Sequence, residues 1–232
     1  MKVAIMQPYF FPYIGYFQLI GAVDLFIVYD NIKYTKKGWI NRNRMLQNGR
    51  DAIFSLPLKG AADLLDVRDR ELAPDFDRSR FLGRISAGYR RAPYFAQTFP
   101  LIERVLGNDE RNLFKFIHYS IVSTCEHVGI ATPVRVSSDI DIDHGLKNKD
   151  RVLALCEAVG ASVYLNPSGG TQLYAREEFS ARGVELGFIR SKPLEYRQFG
   201  SGFVASLSII DVMMFNAPDA VRGFIESNHE LI

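Results

Sequence analysis

The first thirty residues constrain the fold more than any other part of the chain. Residues 2–6 (KVAIM) form a short apolar run of strand length. A turn-rich segment follows, QPYFFPYIGY (7–16), punctuated by Pro8, Pro12 and Gly15. Residues 16–22 predict a short helix, with Phe17 and Ile20 on its face and Gly21 at its end. DLFIVYD (24–30) is a continuous apolar run bounded by aspartates. Strand, loop, helix and strand in about 30 residues make a parallel β-α-β crossover. Such strands are buried on both faces, which is why their apolar runs are continuous rather than alternating.

The rest of the chain extends this alternation. Strands are predicted over 52–58, 133–137, 162–166 and 184–189. Helices are predicted over 150–159, ended by Gly160, and 175–182, ended by Gly183, with closing helices over 207–215 and 219–227. From 79 to 129 the pattern is helical. Phe81, Ile85 and Tyr89 recur every four residues, as do Leu113, Ile117, Ile121 and Cys125, and Pro93 and Pro100 are expected to divide the block. The expectation is an α/β fold: a mostly parallel Rossmann-like sheet, helices on both faces, and a helical insertion or cap at about 79–129. All of it is expected to form one domain over 1–232, without repeats or linkers.

Composition narrows the function. Lys plus Arg is 28 and Asp plus Glu is 26, a net charge of +2. That near balance argues against a nucleic-acid binder relying on bulk charge, so anions would have to be met by local clusters. No apolar run approaches the roughly 20 residues of a membrane span. The N-terminal segment lacks the apolar core and cleavage site of a signal peptide. Cys125 and Cys156 sit in helical apolar patterns with no CxxC pair, and are expected to be buried free thiols. A cytoplasmic protein without membrane insertion is the expectation.

Five segments could carry chemistry. The first is the loop after strand one, since open α/β sheets bind ligands at the carboxyl ends of strands near a topological switch point. Its five aromatics, Tyr9, Phe10, Phe11, Tyr13 and Tyr16, exceed what a packed corner needs. Tyr13-Ile14-Gly15-Tyr16 resembles, in placement, the His-x-Gly-His phosphate motif of nucleotidylyl transferases and pantothenate synthetase, with tyrosines where that motif has histidines. The second is Asn31 to Arg50, with Lys33, Lys36, Lys37, Arg42, Arg44 and Arg50, no acidic residue, and Tyr34 and Trp39 interleaved. Such a run suits a phosphorylated ligand carrying a ring; a solvated charge run is the alternative.

The third is SSDIDIDHG (137–145). Asp139, Asp141 and Asp143 would share one side of an extended chain, which suits either an acidic turn or a Mg²⁺ site serving a diphosphate. The fourth is Asn166-Pro167-Ser168-Gly169-Gly170-Thr171, whose glycines would let backbone approach an anion, or simply turn the chain. The last is SLSIID (206–211), where Ser208 or Ser206 could cap the closing helix, with Asp211, three residues after Ser208, as an acidic capping-box partner. The four histidines are scattered, and no HExxH spacing is present.

Taken together, IMQPYFFPYIGYFQLI (5–20), DLFIVYDNIKYTKKGWINRNR (24–44), YRRAPYF (89–95), LCEAVGASVYLNPSGG (155–170) and SLSIIDVMMFN (206–216) resemble the WbqC-like family of bacterial proteins. Members occur with surface-polysaccharide genes, including O-antigen clusters, and have been proposed as glycyl or aminoacyl transferases on amino sugars. The resemblance maps the family motifs onto Gln7, Pro8, Tyr9, Pro12, Gly15, Asp24, Asp30, Trp39, Asn41, Arg42, Asn43, Ser208 and Asp211. It implies an acyl transferase or ligase acting on a nucleotide-linked amino sugar, with a non-catalytic sugar-nucleotide or partner-binding protein as the alternative. The expected catalytic groups are Asp30 and Asp211. The expected ligand-binding groups are Gln7, Tyr9, Tyr13, Gly15, Tyr16, Lys37, Trp39, Asn41, Arg42, Asn43, Arg44, Gly169, Gly170 and Ser208. ATP and Mg²⁺ are the candidate cofactors, and the expected partners are a nucleotide or nucleotide sugar, an amino acid and a second copy of the chain, rather than nucleic acid.

Overall fold

The computed structural model describes residues 1–60, 65–200 and 202–232. Five parallel strands and one antiparallel edge strand make the main sheet. The elements are β1 (Lys2–Met6), α1 (Ile14–Gly21) and β2 (Leu25–Val28); a hairpin of β3 (Arg42–Gln47) and β4 (Arg50–Ser55); three helices, α2 (Arg78–Tyr89), α3 (Phe95–Leu106) and α4 (Leu113–Val128); then β5 (Val134–Val136), α5 (Asn148–Ala158), β6 (Val163–Pro167), α6 (Arg176–Ser180) and β7 (Glu185–Ser191). The chain closes with α7 (Ile209–Phe215), α8 (Pro218–Ser227) and β8 (His229–Leu231). The strand order is β5-β2-β1-β6-β7-β8, with β8 antiparallel to β7. The fold is α/β, as the alternation of runs predicts.

Alternating side chains of the central strands feed two cores. Val3, Ile5, Leu25 and Ile27 pack with Val152, Leu155 and Cys156 of α5 and Phe179 of α6. Ala4, Phe26 and Val28 face the other side and pack with α1, α4, α7 and α8 through Phe17, Ile121, Met214 and Ile225. Helices therefore cover both faces, and each core strand is apolar on both sides. Both cysteines are buried and free. Burial pushes each thiol up to about 12.

Three local features differ from the sequence expectation. Residues 42–55 form a β-hairpin rather than a basic loop followed by a strand at 52–58. Asn48-Gly49 turns it, with φ of 52° and 73°, the left-handed pair a two-residue hairpin turn requires. Pro100 does not divide the helical block but lies inside α3; the breaks fall at residues 90–94, around Pro93, and after Gly107. Asp211 does not close a capping box. Ser208 alone caps α7, accepting from the Ile210 amide at 3.2 Å, while Asp211 points to other partners.

Candidate functional site

The chain runs from β1 through α1 to β2 on one side, and later returns to place β6 on the other side of β1. The crevice at the carboxyl ends of β1 and β6 is thus the topological switch point. A cavity of about 430 Å³ opens there. Its walls come from the end of β1 and the loop beyond it (Met6, Gln7, Tyr9), the loop after β2 (Tyr29, Ile32), the start of α5 (Asn148, Arg151, Val152), and the end of β6 with the turn after it (Asn166, Pro167, Gly169, Gly170), with Leu173 and Tyr174 closing one side.

Asn166 is the polar group that stands out. It is only 6% exposed and ends an apolar strand, yet its carboxamide has no hydrogen-bond partner among the described residues. Its polar atoms are not sealed from solvent but open on the cavity, where a donor and an acceptor engaged by no described residue are a ready ligand contact. Gly170 makes room for it: a Cβ there would stand 2.1 Å from Asn166 Nδ2. Gly169 leaves the neighbouring wall open, with nothing within 4 Å of where its Cβ would be. Arg151 is the one charged residue among the described residues that line the cavity. Its guanidinium is held in place by the carbonyls of Leu146, Asn31 and His144 at 2.7–2.8 Å. The amino end of α5 adds its partial positive charge, and among the described residues no carboxylate lines the walls. Tyr9 and Tyr29 supply ring faces; burial pushes both phenols above their usual range, so they remain neutral donors.

A second cavity of about 350 Å³ lies beside the first. Met6, Tyr9 and Pro167 belong to both, and form the ridge between them. Tyr13, Gly15 and Tyr16 line this second space, together with Leu19, Ile189 and Ser191. Tyr16 is fixed by its hydroxyl, which donates to the Gln7 carbonyl at 3.0 Å.

The remaining residues expected at the site are elsewhere. Neither cavity is lined by Asp30, Lys37, Trp39, Asn41, Arg42, Asn43, Arg44, Ser208 or Asp211. Most of these fasten the structure. Phe11 has a φ of +40°, a left-handed conformation costly for a bulky residue. Its carbonyl accepts from Asn43 Nδ2 at 3.0 Å and from Ser208 Oγ at 2.7 Å. The flanking residues are pinned too: the Phe10 amide donates to the Ile40 carbonyl and the Ile209 amide to the Pro12 carbonyl. Asn41 accepts from the Tyr34 hydroxyl and donates to the Leu56 carbonyl. Arg42 is bonded to the carbonyls of Gly38 and Lys37, and Arg44 to the Ser206 carbonyl. Both guanidiniums lie over the ring of Trp39, which is 42% exposed.

The two carboxylates expected to act in catalysis each accept three hydrogen bonds from protein donors. Asp30, 4% exposed, accepts from the Ser137 and Ser138 hydroxyls at 2.8 and 2.6 Å and from the Ser138 amide. Asp211 accepts from Tyr89, Tyr196 and Gln198 at 2.9, 2.6 and 2.7 Å. Burial raises its pKa, and the three donors oppose that rise. Asp139, Asp141 and Asp143 are exposed, and 137–139 form a 3-10 turn rather than an extended chain. Among the described residues, no group of three or more His, Cys, Asp or Glu could hold a metal ion.

A model of the WbqC-like protein family matches residues 7–223. The chain belongs to the WbqC-like family. A Mycobacterium tuberculosis protein (strain ATCC 25618 / H37Rv), described as "Uncharacterized protein Rv1507c", is 28% identical over 230 residues, covering 95% of this chain and 97% of its own length. No solved structure matches the chain. In this WbqC-like protein, the Gly-Trp-Ile-Asn-Arg-Asn and Ser-Ile-Ile-Asp motifs meet on the backbone of the Pro-rich loop. They shape the cavity walls without touching the cavities. No helix among the described residues is long and apolar enough to cross a membrane.

Sequence reasoning missed Arg151, and placed Asn166 in the candidate segment 166–171 for its glycines without singling out the carboxamide. A polar residue ending an apolar strand before a Gly-Gly turn was a usable signal for Asn166. Nothing in the helical pattern of 148–158 set Arg151 apart.

Proposed function

We propose that this WbqC-like protein binds a phosphorylated, ring-bearing metabolite, a nucleotide or nucleotide sugar, in the switch-point cavity. The observation that carries the reading is the Asn166 carboxamide, bonded to no described residue and open to the cavity beside a glycine turn, where an arginine and, among the described residues, no carboxylate line the walls. A carboxamide presents a donor and an acceptor side by side, which matches the edge of a heterocyclic base or a pair of sugar hydroxyls. Arg151 and the first turn of α5 suit the phosphates.

The family resemblance adds the chemistry: acyl transfer to the amino group of a nucleotide-linked sugar, in the cytoplasmic stage of surface-polysaccharide (O-antigen) synthesis. ATP with Mg²⁺ stays the candidate source of activation, and a Mg²⁺ ion carried by substrate phosphates needs few protein ligands. One observation favours a second reading, binding without catalysis: Asp30 and Asp211 are both spent on protein donors.

Calorimetric titration with UDP, ATP and a UDP-linked amino sugar, with and without Mg²⁺, tests the binding. Asn166→Ala should weaken the bound nucleotide about tenfold, the equivalent of about 1.4 kcal/mol. Unchanged affinity in Asn166→Ala would remove the cavity assignment. Product formation from the amino sugar and an activated acyl donor would exclude the passive reading.

A further inference from the structure

The second cavity is too large for a glycyl group and has the wrong lining for an aminoacyl one. It holds about 350 Å³, walled by Tyr13, Tyr16, Leu19 and Ile189. Among the described residues, no Asp or Glu lines it. Arg190 also lines it, with its guanidinium turned to Glu230, which does not line the cavity. A ligand bearing an α-ammonium group would enter this space without a counter-charge, at a desolvation cost that an uncharged acyl group escapes.

The two cavities meet at one place. Of the three residues they share, Met6 and Pro167 bring no hydrogen-bonding side chain, and Tyr9 brings a hydroxyl. That hydroxyl makes one long contact, 3.3 Å to Gln7 Oε1, and is free to take a stronger acceptor. The turn after β6 divides the same way: Ser168 lines the second cavity and Gly169 the first.

We infer that the second cavity binds the apolar, uncharged acyl group of an activated acyl donor, with its carbonyl at Tyr9 beside the ligand of the first cavity. The inference rests on the nucleotide reading of the first cavity for its acceptor. In the transfer, the amine nitrogen attacks the acyl carbon and a C–N bond forms. The bond to the activating group, a thiolate or phosphate, breaks. That group departs with the bonding electrons and takes up the proton the nitrogen loses. Tyr9 donates to the carbonyl oxygen as charge builds there. Burial, which keeps the Tyr9 phenol protonated, supports that role.

Two neighbouring substitutions at the turn test the division. Ser168→Trp should fill the second cavity, and Gly169→Trp the first. The probes are UDP and 3-phenylpropanamide, with phenylalaninamide as the ammonium-bearing counterpart. Wild type should bind UDP and 3-phenylpropanamide together, as a 1:1:1 complex in native mass spectrometry. Ser168→Trp should lose 3-phenylpropanamide at least tenfold and keep UDP; Gly169→Trp should do the reverse. Phenylalaninamide should bind at least tenfold more weakly than 3-phenylpropanamide. If Ser168→Trp does not fold, Ser191→Leu on the facing wall serves instead. Mutual exclusion of the probes, equal binding of phenylalaninamide, or no binding of 3-phenylpropanamide at millimolar concentration overturns the inference. If UDP alone fails to bind, the nucleotide reading falls while the acyl cavity stands on the Ser168→Trp result.

Discussion

Tyr89→Phe should unfold the protein at a markedly lower temperature, although it removes one oxygen and leaves no hole of any size. Tyr89 is fully buried. Its hydroxyl accepts from the Leu46 amide of β3 at 2.8 Å and donates to Asp211 Oδ1 of α7 at 2.9 Å. One atom thus ties the hairpin to α7 through α2. Without it, the Leu46 N–H is left buried with no acceptor, which costs about 1–3 kcal/mol. Asp211 also loses one of three donors, and hydrogen bonds to charged groups contribute about 1.5–3 kcal/mol. The two losses share one atom and are not fully additive, so about 3 kcal/mol is the expected sum. For a chain of this size that is about 6–12 °C in melting temperature. Urea denaturation gives the free energy, and hydrogen exchange should show the Leu46 amide losing protection. Asp211 keeps Tyr196 and Gln198, so the variant should still fold. A stability within about 0.5 kcal/mol of wild type, the range of an ordinary surface change, would refute the claim that this network holds the helices to the hairpin.

Three further outcomes follow from the same structure. Ser208→Ala removes both the α7 cap and the bond to the Phe11 carbonyl, and should cost about 2 kcal/mol in urea denaturation; a loss no larger than that of a surface serine would contradict the clasp. Asp211 has its folded pKa raised above 3.8 by burial, so its contribution is complete below that value and is lost as pH rises through the raised one. The stability of wild type relative to Asp211→Asn should therefore fall with rising pH, and a difference independent of pH would count against it. Cys125 and Cys156, pushed up to about 12, should resist a thiol reagent at neutral pH until the protein is denatured; rapid labelling of the native protein would show that they are accessible.

The β-α-β-α-β plan was legible because its strands are continuous apolar runs that no other element explains. The hairpin was not: RNRMLQ carries its core residues, Met45 and Leu46, among arginines and asparagines, and charge drew the eye to a ligand. Asn43 and Ser208 show why the site was only half legible. A polar residue in a specific motif can face a ligand or a strained carbonyl, and composition does not distinguish the two. Gln7, Tyr9, Gly169 and Gly170 do line the first cavity, because the carboxyl ends of parallel strands open where the strand order reverses. Pro100 misled for a simpler reason: a helix whose packing is strong, with Leu101, Ile102, Val105 and Leu106 all buried, tolerates an internal proline.

The bond from Ser208 to the Phe11 carbonyl joins residues 197 positions apart. It sets an order of assembly. The loop that walls both cavities leaves the ribosome well before its fastener. Until α7 arrives, Phe11 must hold a left-handed backbone without Ser208 and without the Ile209 amide on Pro12. A nascent chain stopped before this point carries five aromatic side chains in an unfastened loop, a natural client for a chaperone. The shape of the two cavities is then a property of the chain through α7, and a fragment ending before residue 208 should have the sheet residues of the candidate site without that shape.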